Sequence, residues 1–468
     1  MSRRWPVLMA ALCCGCMVGP NYRRPAISIP DAYRSPAGQS AGAPGTSSFG
    51  ELAWWQVFQD AELQKLLTIA LDRNYDIRIA AARIEQAAAN VGIVRADQFP
   101  AVGADATFSR TRTSATGFSR LIPGFSGFTT STTSITPSVS WALDFWGRYR
   151  RATESARAQL LASESAQLAV RTSLVAAVAS AYFRLRELDL ELEITKRALA
   201  TRRDSLRLTQ IREQGGVASL LEVRQAESLV TTATATIPQV VQQIEQTENQ
   251  ISILLGGNPD TVPRGLALDQ QKIPPMPPGL PSELLARRPD IRQAEQILIA
   301  ANAQIGVARA AYFPNVLISA STGFQASRPG DLFSKSGWVW GLTPTLNLPI
   351  FTAGRIQSSV RFTEAQRQEA VLAYQRTIQQ AFREVSDALI GFTRTTDFRI
   401  QQEMLTATYR DAARLAEVRY RGGVTTYLEV LDSERNVYSA ELTLAQARLN
   451  ELASLVQLYN ALGGGWQQ

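Results

Sequence analysis

The chain has no histidine, and its three cysteines, Cys13, Cys14 and Cys16, all fall in the first 16 of its 468 residues. Without histidine, the Ser-His-Asp and Cys-His nucleophilic sites and the usual histidine-bearing zinc sites cannot be built. Three clustered cysteines give no disulfide framework. The net charge of +7 is spread over segments of mixed sign, and basic runs interleaved with aromatics are missing, which excludes a nucleic-acid footprint. Beyond the N-terminus no run approaches the roughly 20 apolar residues of a membrane-spanning helix, so any embedded part is expected to consist of strands. A phosphate-cradling glycine loop is lacking, as is a set of carboxylates with catalytic spacing, so no enzyme, cofactor or metal site is expected.

What is present begins with the leader, MSRRWPVLMAALCCGC. A basic start, a short apolar core and a small residue before Cys16 form the layout of an export signal. It resembles a bacterial lipoprotein leader, which implies a signal segment over residues 1–15 and an acyl anchor such as palmitate on Cys16, with Cys14 as the alternative.

The chain also repeats itself. DIRIAAARIEQAAANVGIVRADQFPAV (Asp76 to Val102) aligns with DIRQAEQILIAANAQIGVARAAYFPNV (Asp290 to Val316) at an offset of 214. From Arg148 against Arg355 the offset is 207, and it stays so through QGGVASLLEV (Gln214 to Val223) against RGGVTTYLEV (Arg421 to Val430). Such a period marks a duplicated structural unit.

Each copy reads alike. A helix (about 59 to 98, and 282 to 312) ends at Phe-Pro, since proline disfavours helical geometry before it. Two alternating runs follow. Ile135, Val139, Trp141, Leu143 and Phe145 oppose Ser134, Thr136, Ser138, Ser140 and Asp144, and Trp338, Trp340, Leu342, Leu346 and Leu348 oppose Val339, Gly341, Thr343, Thr345 and Asn347. Period two with one apolar and one small or polar face suits a half-buried sheet or a membrane barrel. Then comes a very long proline-free stretch, Arg148 to Gln214 in the first copy, on the order of 100 Å if helical. Val178, Leu185, Leu192, Leu199 and Leu206 recur every seven residues, as do Tyr438, Ala445, Leu452 and Tyr459 with Leu442, Leu449 and Val456 between them. Heptads predict packing seams between helices. The Gly-Gly-Val turns (Gly215, Gly216, Val217 and Gly422, Gly423, Val424) then fold each long helix back on itself. A periplasmic structural coiled coil or adaptor without a barrel would account for these helices, but it leaves four strands unexplained.

Four strands cannot close a membrane barrel, which needs about eight or more. Two copies would give a bore filled by side chains, and three a bore with room for water.

The duplicated plan, MVGPNYRRP (Met17 to Pro25), ARRPDI (Ala286 to Ile291), LPIFTAGR (Leu348 to Arg355) and YRGGVTTYLEVLD (Tyr420 to Asp432) together resemble the outer-membrane factors of the TolC family, lipoprotein branch. The likeness spans essentially the whole mature chain. It implies a mainly α homotrimer with a small membrane β part: a twelve-stranded outer-membrane barrel continued by a periplasmic α-helical tunnel. Such a lipid-anchored duct would serve multidrug efflux, receiving substrate from an inner-membrane pump of the RND type through a periplasmic adaptor (membrane fusion) protein, and would catalyse no reaction. The division expected is signal 1–15, extended segment 16–58, first repeat 59–257, proline-rich equatorial connector 258–281, second repeat 282–464 and tail 465–468.

Glu429 and Asp432, three apart just after the second turn, share a helix face, and match acids that form the periplasmic constriction in the family. Three copies around an axis would crowd six carboxylates, attracting cations and raising their proton affinity. Tyr420 matches a residue that latches the closed state by bonding an acid on the first hairpin, here Glu222. A basic latch residue of the family falls on Thr425, which carries no charge. The two Gly-Gly-Val tips sit where the family meets its adaptor, with Val217 and Val424 as the contacting side chains.

Overall fold

The computed structural model describes residues 17–27, 29–35, 38–40, 48–114, 127–274 and 281–465. Cys14 and Cys16, and with them the expected lipid site, lie outside these. The described residues divide into two compact units, those within 1–26, 84–163 and 294–374 forming the first and those within 27–83, 164–293 and 375–468 the second.

Two short strands, β1 (Tyr33–Ser35) and β2 (Gly38–Ser40), pair in the second unit, and the first unit holds a four-stranded antiparallel sheet, β3 (Ala101–Thr113), β4 (Phe128–Leu143), β5 (Asn315–Ala326) and β6 (Trp338–Asn347), in that spatial order. The register sorts the side chains into rows. Val102, Val139, Ala320 and Leu342 lie opposite one another, as do Trp141, Ile318 and Pro344, and Leu143, Val316 and Leu346. Neighbouring rows consist of small or polar residues: Gly103, Ser138, Ser321 and Gly341, then Ala101, Ser140, Ser319 and Thr343. Because strand side chains alternate, one face is apolar and the other small and polar. The apolar face is not covered by the chain itself: Trp340 is 69% exposed, and Val102, Phe108 and Leu346 are exposed too. Three expected positions, Asp144, Phe145 and Leu348, fall off the strands. β4 ends at Leu143, where Asp144 turns its carboxylate to the Arg150 amide (2.9 Å), leaving Phe145 outside, and β6 ends before Leu348.

Also in this unit, the segment after residue 16 is strapped down. The buried Arg151 guanidinium donates to the carbonyls of Val18 and Gly19 (both 3.3 Å), to Asn21 (2.7 Å) and to Glu154 (2.7 Å). Arg24 grips Glu295 through both carboxylate oxygens, at 2.7 and 2.6 Å.

The second unit holds residues 164–214 and 375–421 of the two longest helices together with their returning partners. After the shorter helices α1 (Trp54–Val57), α2 (Ala61–Arg73) and α3 (Tyr75–Ala96), and again after α6 (Pro281–Arg287) and α7 (Pro289–Ala310), come α4 (Arg148–Gln214) and α8 (Arg355–Arg421) with 67 residues each, and their returning partners α5 (Leu220–Leu254) and α9 (Tyr427–Ala461) have 35. The heptad positions form the seams: Val178, Leu185 and Leu199 are buried on α4, and Ala445, Leu449, Leu452, Val456 and Tyr459 on α9. Polar bonds add register. Thr195 meets Tyr438 (3.1 Å), Arg197 reaches Glu441 (3.2 Å), and Gln402 of α8 donates to the Ala440 carbonyl (3.2 Å). By length and composition α4 contains an 18-residue stretch apolar enough to cross a membrane, half of it buried inside the protein. This corrects the expectation that no such stretch exists; the heptad seam explains its apolarity.

The leading helix of each repeat is broken where one helix was expected. In the first, Asn74 separates Ala61–Arg73 from Tyr75–Ala96 and caps the second piece, its Oδ1 accepting from the Asp76 (2.8 Å) and Ile77 (3.3 Å) amides. In the second, Arg288 separates Pro281–Arg287 from Pro289–Ala310. Asn74 and Arg288 are equivalent positions of the repeat, so the same break is made once by an asparagine cap and once by a proline at the first helical position.

Candidate functional site

Both Gly-Gly-Val turns end their helices with the same hydrogen bonds. After α4, the Val217 amide donates to Arg212 O (2.9 Å) and the Gly216 amide to Glu213 O (2.8 Å). After α8, the Val424 amide donates to Arg419 O (3.0 Å) and the Gly423 amide to Tyr420 O (3.0 Å). This six-to-one, five-to-two pattern requires a left-handed residue, and Gly216 (φ 76°) and Gly423 (φ 74°) supply it. The chain direction after the turn throws the next side chain outward: Val217 is 72% and Val424 71% exposed, and Leu220, Leu221 and Leu428 are exposed beside them. The tips thus present aliphatic side chains to solvent.

Behind the tips a small core closes the hairpins. Ala226, Leu229, Ala416, Tyr420, Tyr427, Val430 and Leu431 are buried together. Tyr420 packs on Tyr427 with ring centres 5.5 Å apart, and the Arg212 guanidinium lies 4.4 Å above the Tyr420 ring while donating to its carbonyl (3.1 Å). The expected bond from Tyr420 to Glu222 is not formed. The Tyr420 hydroxyl is buried with no hydrogen-bond partner among the described residues. Glu222 instead closes a capping box with Ser219, accepting from its amide (3.5 Å) and hydroxyl (3.4 Å).

Glu429 and Asp432 stand exposed on one face of α9, as the spacing predicts. Glu429 pairs with Arg419 (3.5 Å) and accepts from the Thr425 hydroxyl, and Asp432 accepts from Asn436 (3.3 Å). Thr425 therefore serves Glu429 as a neutral donor, and the charge beside it comes from Arg419.

Sequence reasoning missed a second layer. Ser205 donates to Glu434 (2.9 Å), and burial raises the proton affinity of this carboxyl. Arg202, buried on α4, stacks over Tyr438 (4.7 Å) and donates to Leu229 O (3.2 Å); burial lowers its proton affinity. The offset of 207 gives no signal for this layer, since it sets Tyr409 against Arg202 and Ala412 against Ser205.

The family described as outer membrane efflux protein matches residues 66–257 and 280–464. The chain is 38% identical over 456 residues to the probable efflux pump outer membrane protein TtgC of Pseudomonas putida KT2440, covering 97% of this chain and 93% of that one. It is 36% identical over 468 residues to the outer membrane protein OprJ of Pseudomonas aeruginosa, covering 98% and 95%. The crystal structure of the open state of the MtrE outer membrane channel of Neisseria gonorrhoeae superposes with a TM-score of 0.86 at 31% identity, covering 97% of this chain and 99% of that one. The duplicated helix-strand-strand-helix plan and its exposed apolar sheet face agree with these likenesses: the chain belongs to the outer membrane efflux protein family and is an outer-membrane exit duct of an efflux system.

Proposed function

We propose that three copies of this chain close one duct, each contributing its four strands to a twelve-stranded barrel, and that substrate enters through a periplasmic constriction lined by Glu429 and Asp432. The observation that carries this reading is the sheet. Its rows put Trp141, Leu342 and Leu346 on one face and serines and glycines on the other, as lipid outside and water inside demand. Among the described residues β3 and β6 each have only one hydrogen-bonded neighbour in the sheet, and an unpaired edge in hydrocarbon costs several kcal/mol per backbone group. Pairing β6 of one copy with β3 of the next removes both edges.

At the other end, six carboxylates around a threefold axis would make the mouth cation-attracting. Arg419 offsets part of that charge within each copy. The exposed Val217 and Val424 at the tips are assigned to the periplasmic adaptor, which passes substrate from an inner-membrane pump of the RND type. Tyr420 acts by packing, holding the second turn against Tyr427, while Glu222 braces the first. Cys16 is assigned the lipid, and no reaction is catalysed.

The test is planar-bilayer conductance of the purified mature protein, with its mass in detergent. A trimer forming small cation-selective channels is expected, and Glu429→Ala/Asp432→Ala should raise conductance and lose several-fold of the cation preference. A monomer without channels would overturn the barrel; an unchanged selectivity in the double variant would remove these acids from the mouth.

A further inference from the structure

The first unit holds parts of four helices, α3, α4, α7 and α8, bonded side by side in the order of the strands. Gln98, just past α3, donates to Thr153 of α4 (2.5 Å), Gln304 of α7 donates to Ser155 of α4 (2.9 Å), and Arg309 of α7 pairs with Glu364 of α8 (2.7 Å). The contact of α4 with α7 is thus the joint between the two repeats. α3 and α8 are the outer members of the row, as β3 and β6 are of the sheet.

The duplication makes those outer helices twins of the two that form the joint: α3 repeats α7 at the offset of 214, and α8 repeats α4 at 207. In the joint, Ala303 and Ile305 of α7 and Arg151, Ser155 and Ala158 of α4 are all buried. Gly306 permits the approach, since a side chain there would strike Arg151 Cγ at 2.7 Å and the Val18 carbonyl oxygen at 2.8 Å. On the outer helices the same positions lie open. Ala89, Ser358 and Ala365 are exposed and Val91 is half-buried, Phe362 is 63% exposed, and a side chain at Gly92 would meet nothing within 4 Å.

Gly92 is the telling position. Glycine weakens the interior of a helix and is used where another backbone must come close. Its twin Gly306 has such a neighbour within the chain, and Gly92 has none. A second copy of this chain supplies one, because its α8 is the repeat of the helix against which Gly306 packs. Contact of α3 with α8 of another copy is head-to-tail, and such contacts close as a ring when the rotation allows.

We infer that α3 of one copy seats on the first half of α8 of the next in the register of α7 on α4, with Gly92 against Ser358 of the partner subunit. The inference deepens the three-copy reading and rests on it. The two joints differ in one respect. Within a chain, the Arg151 guanidinium and residues 18–21 fill the joint. Between copies the arginine's twin is Ser358, and each chain has only one N-terminal segment, already engaged. The joint between copies is therefore closed by small side chains and Phe362, without a buried guanidinium.

No cysteine follows Cys16, so a disulfide placed at this joint has no rival. It forms only where the two Cα atoms come within about 7 Å. Gly92→Cys/Ser358→Cys, oxidised in outer-membrane vesicles, should run on a denaturing gel without reductant mostly as linked dimers and trimers, and as monomer once reduced. Either single variant should stay monomeric on the same gel. A double variant whose mass in detergent is that of a trimer but which gives no links would overturn this joint and leave the duct standing, whereas a monomeric mass for the parent would overturn the three-copy reading beneath it. Should the double variant fail to assemble, Gly92→Leu decides. Its added side chain has free space in a single copy, so the far-UV circular dichroism should match the parent, while the trimer should dissociate in detergent at a temperature several degrees lower. An unchanged dissociation temperature would remove α3 from the joint.

Discussion

The two tips share a turn and differ in what their third helical residue does. Ser219-x-x-Glu222 and Thr426-x-x-Glu429 are equivalent positions of the repeat, and both spell the same helix-start signature. In the first tip the signature is used: the Ser219 hydroxyl accepts from the Glu222 amide and the Glu222 carboxylate reaches back to the Ser219 amide. In the second it is not. Thr426 makes no side-chain cap, and Glu429 turns to Arg419 and Thr425 instead. The equivalent arginine of the first tip, Arg212, does not serve its own hairpin but crosses to Tyr420 of the second. Duplication supplied one stable turn twice; divergence left the first acid bracing its helix and freed the second. An acid that caps its own helix is spent on structure, and only a freed one can face a channel axis.

The same divergence runs along the long helices and gives the largest expected effect. Glu187 of α4 corresponds to Arg394 of α8. Arg394 is exposed, whereas Glu187 is buried beside Arg184 at 2.6 Å. Burial raises its pKa from the ordinary 4.5 to about 7, against the pull of Arg184 and with a smaller push from Glu191. The folded protein therefore holds a proton that the unfolded chain releases above pH 4.5, so stability falls as pH rises through the window from 4.5 to 7. Glu187→Gln keeps an acceptor for Arg184 and removes the titration. Thermal unfolding should show the variant several degrees more stable than the parent at pH 8 and nearly equal to it at pH 4. If the two proteins respond alike across that window, the pH dependence belongs to another group.

A smaller effect separates the tips directly. Ser219→Ala deletes a working cap and should cost about 0.5–1 kcal/mol, at the low end because its bond to the Glu222 amide is long, at 3.4 Å. Thr426→Ala deletes a hydroxyl that caps nothing and should cost within about 0.3 kcal/mol beyond the change in propensity. Hydrogen exchange at the amides of Glu222 and Glu429 reads each tip separately: faster exchange is expected at the first in Ser219→Ala, and no change at the second in Thr426→Ala. Equal losses would erase the asymmetry.

Much of this was legible in the sequence, and the reasons are physical. Strand alternation and heptads are periodic, so Trp141 and Trp340 declared a face and Val178 and Leu185 a seam before any coordinates. The turns were legible because Gly216 and Gly423 answer a backbone requirement that other residues meet at a cost. The breaks at Asn74 and Arg288 were not, since an amphipathic pattern continues across a capped interruption; Pro289 was the visible signal, and its unmarked twin Asn74 needed the repeat alignment. At the tip, the positions of Glu429 and Asp432 were readable from spacing, but their partners were not. Side-chain pairing across helices, such as Arg212 with Tyr420, depends on rotation and crossing angle, which no local pattern encodes.

Tyr420 gives the smallest expected effect and the sharpest test of the asymmetry. Its first-repeat counterpart is Glu213, so this ring is an addition of the second tip. Its hydroxyl is buried without a hydrogen-bond partner among the described residues, and its ring packs on Tyr427 and under the Arg212 guanidinium. A buried polar atom without a partner carries a desolvation cost, so Tyr420→Phe should leave stability unchanged or raise it by up to about 1 kcal/mol. The ring that holds Arg212 remains, so single-channel conductance should match the parent. Wider channels in Tyr420→Phe would mean that the hydroxyl bonds an acid in the assembled duct. Glu222 would then have left its capping box to reach it, and the first tip would be a moving part in the same degree as the second.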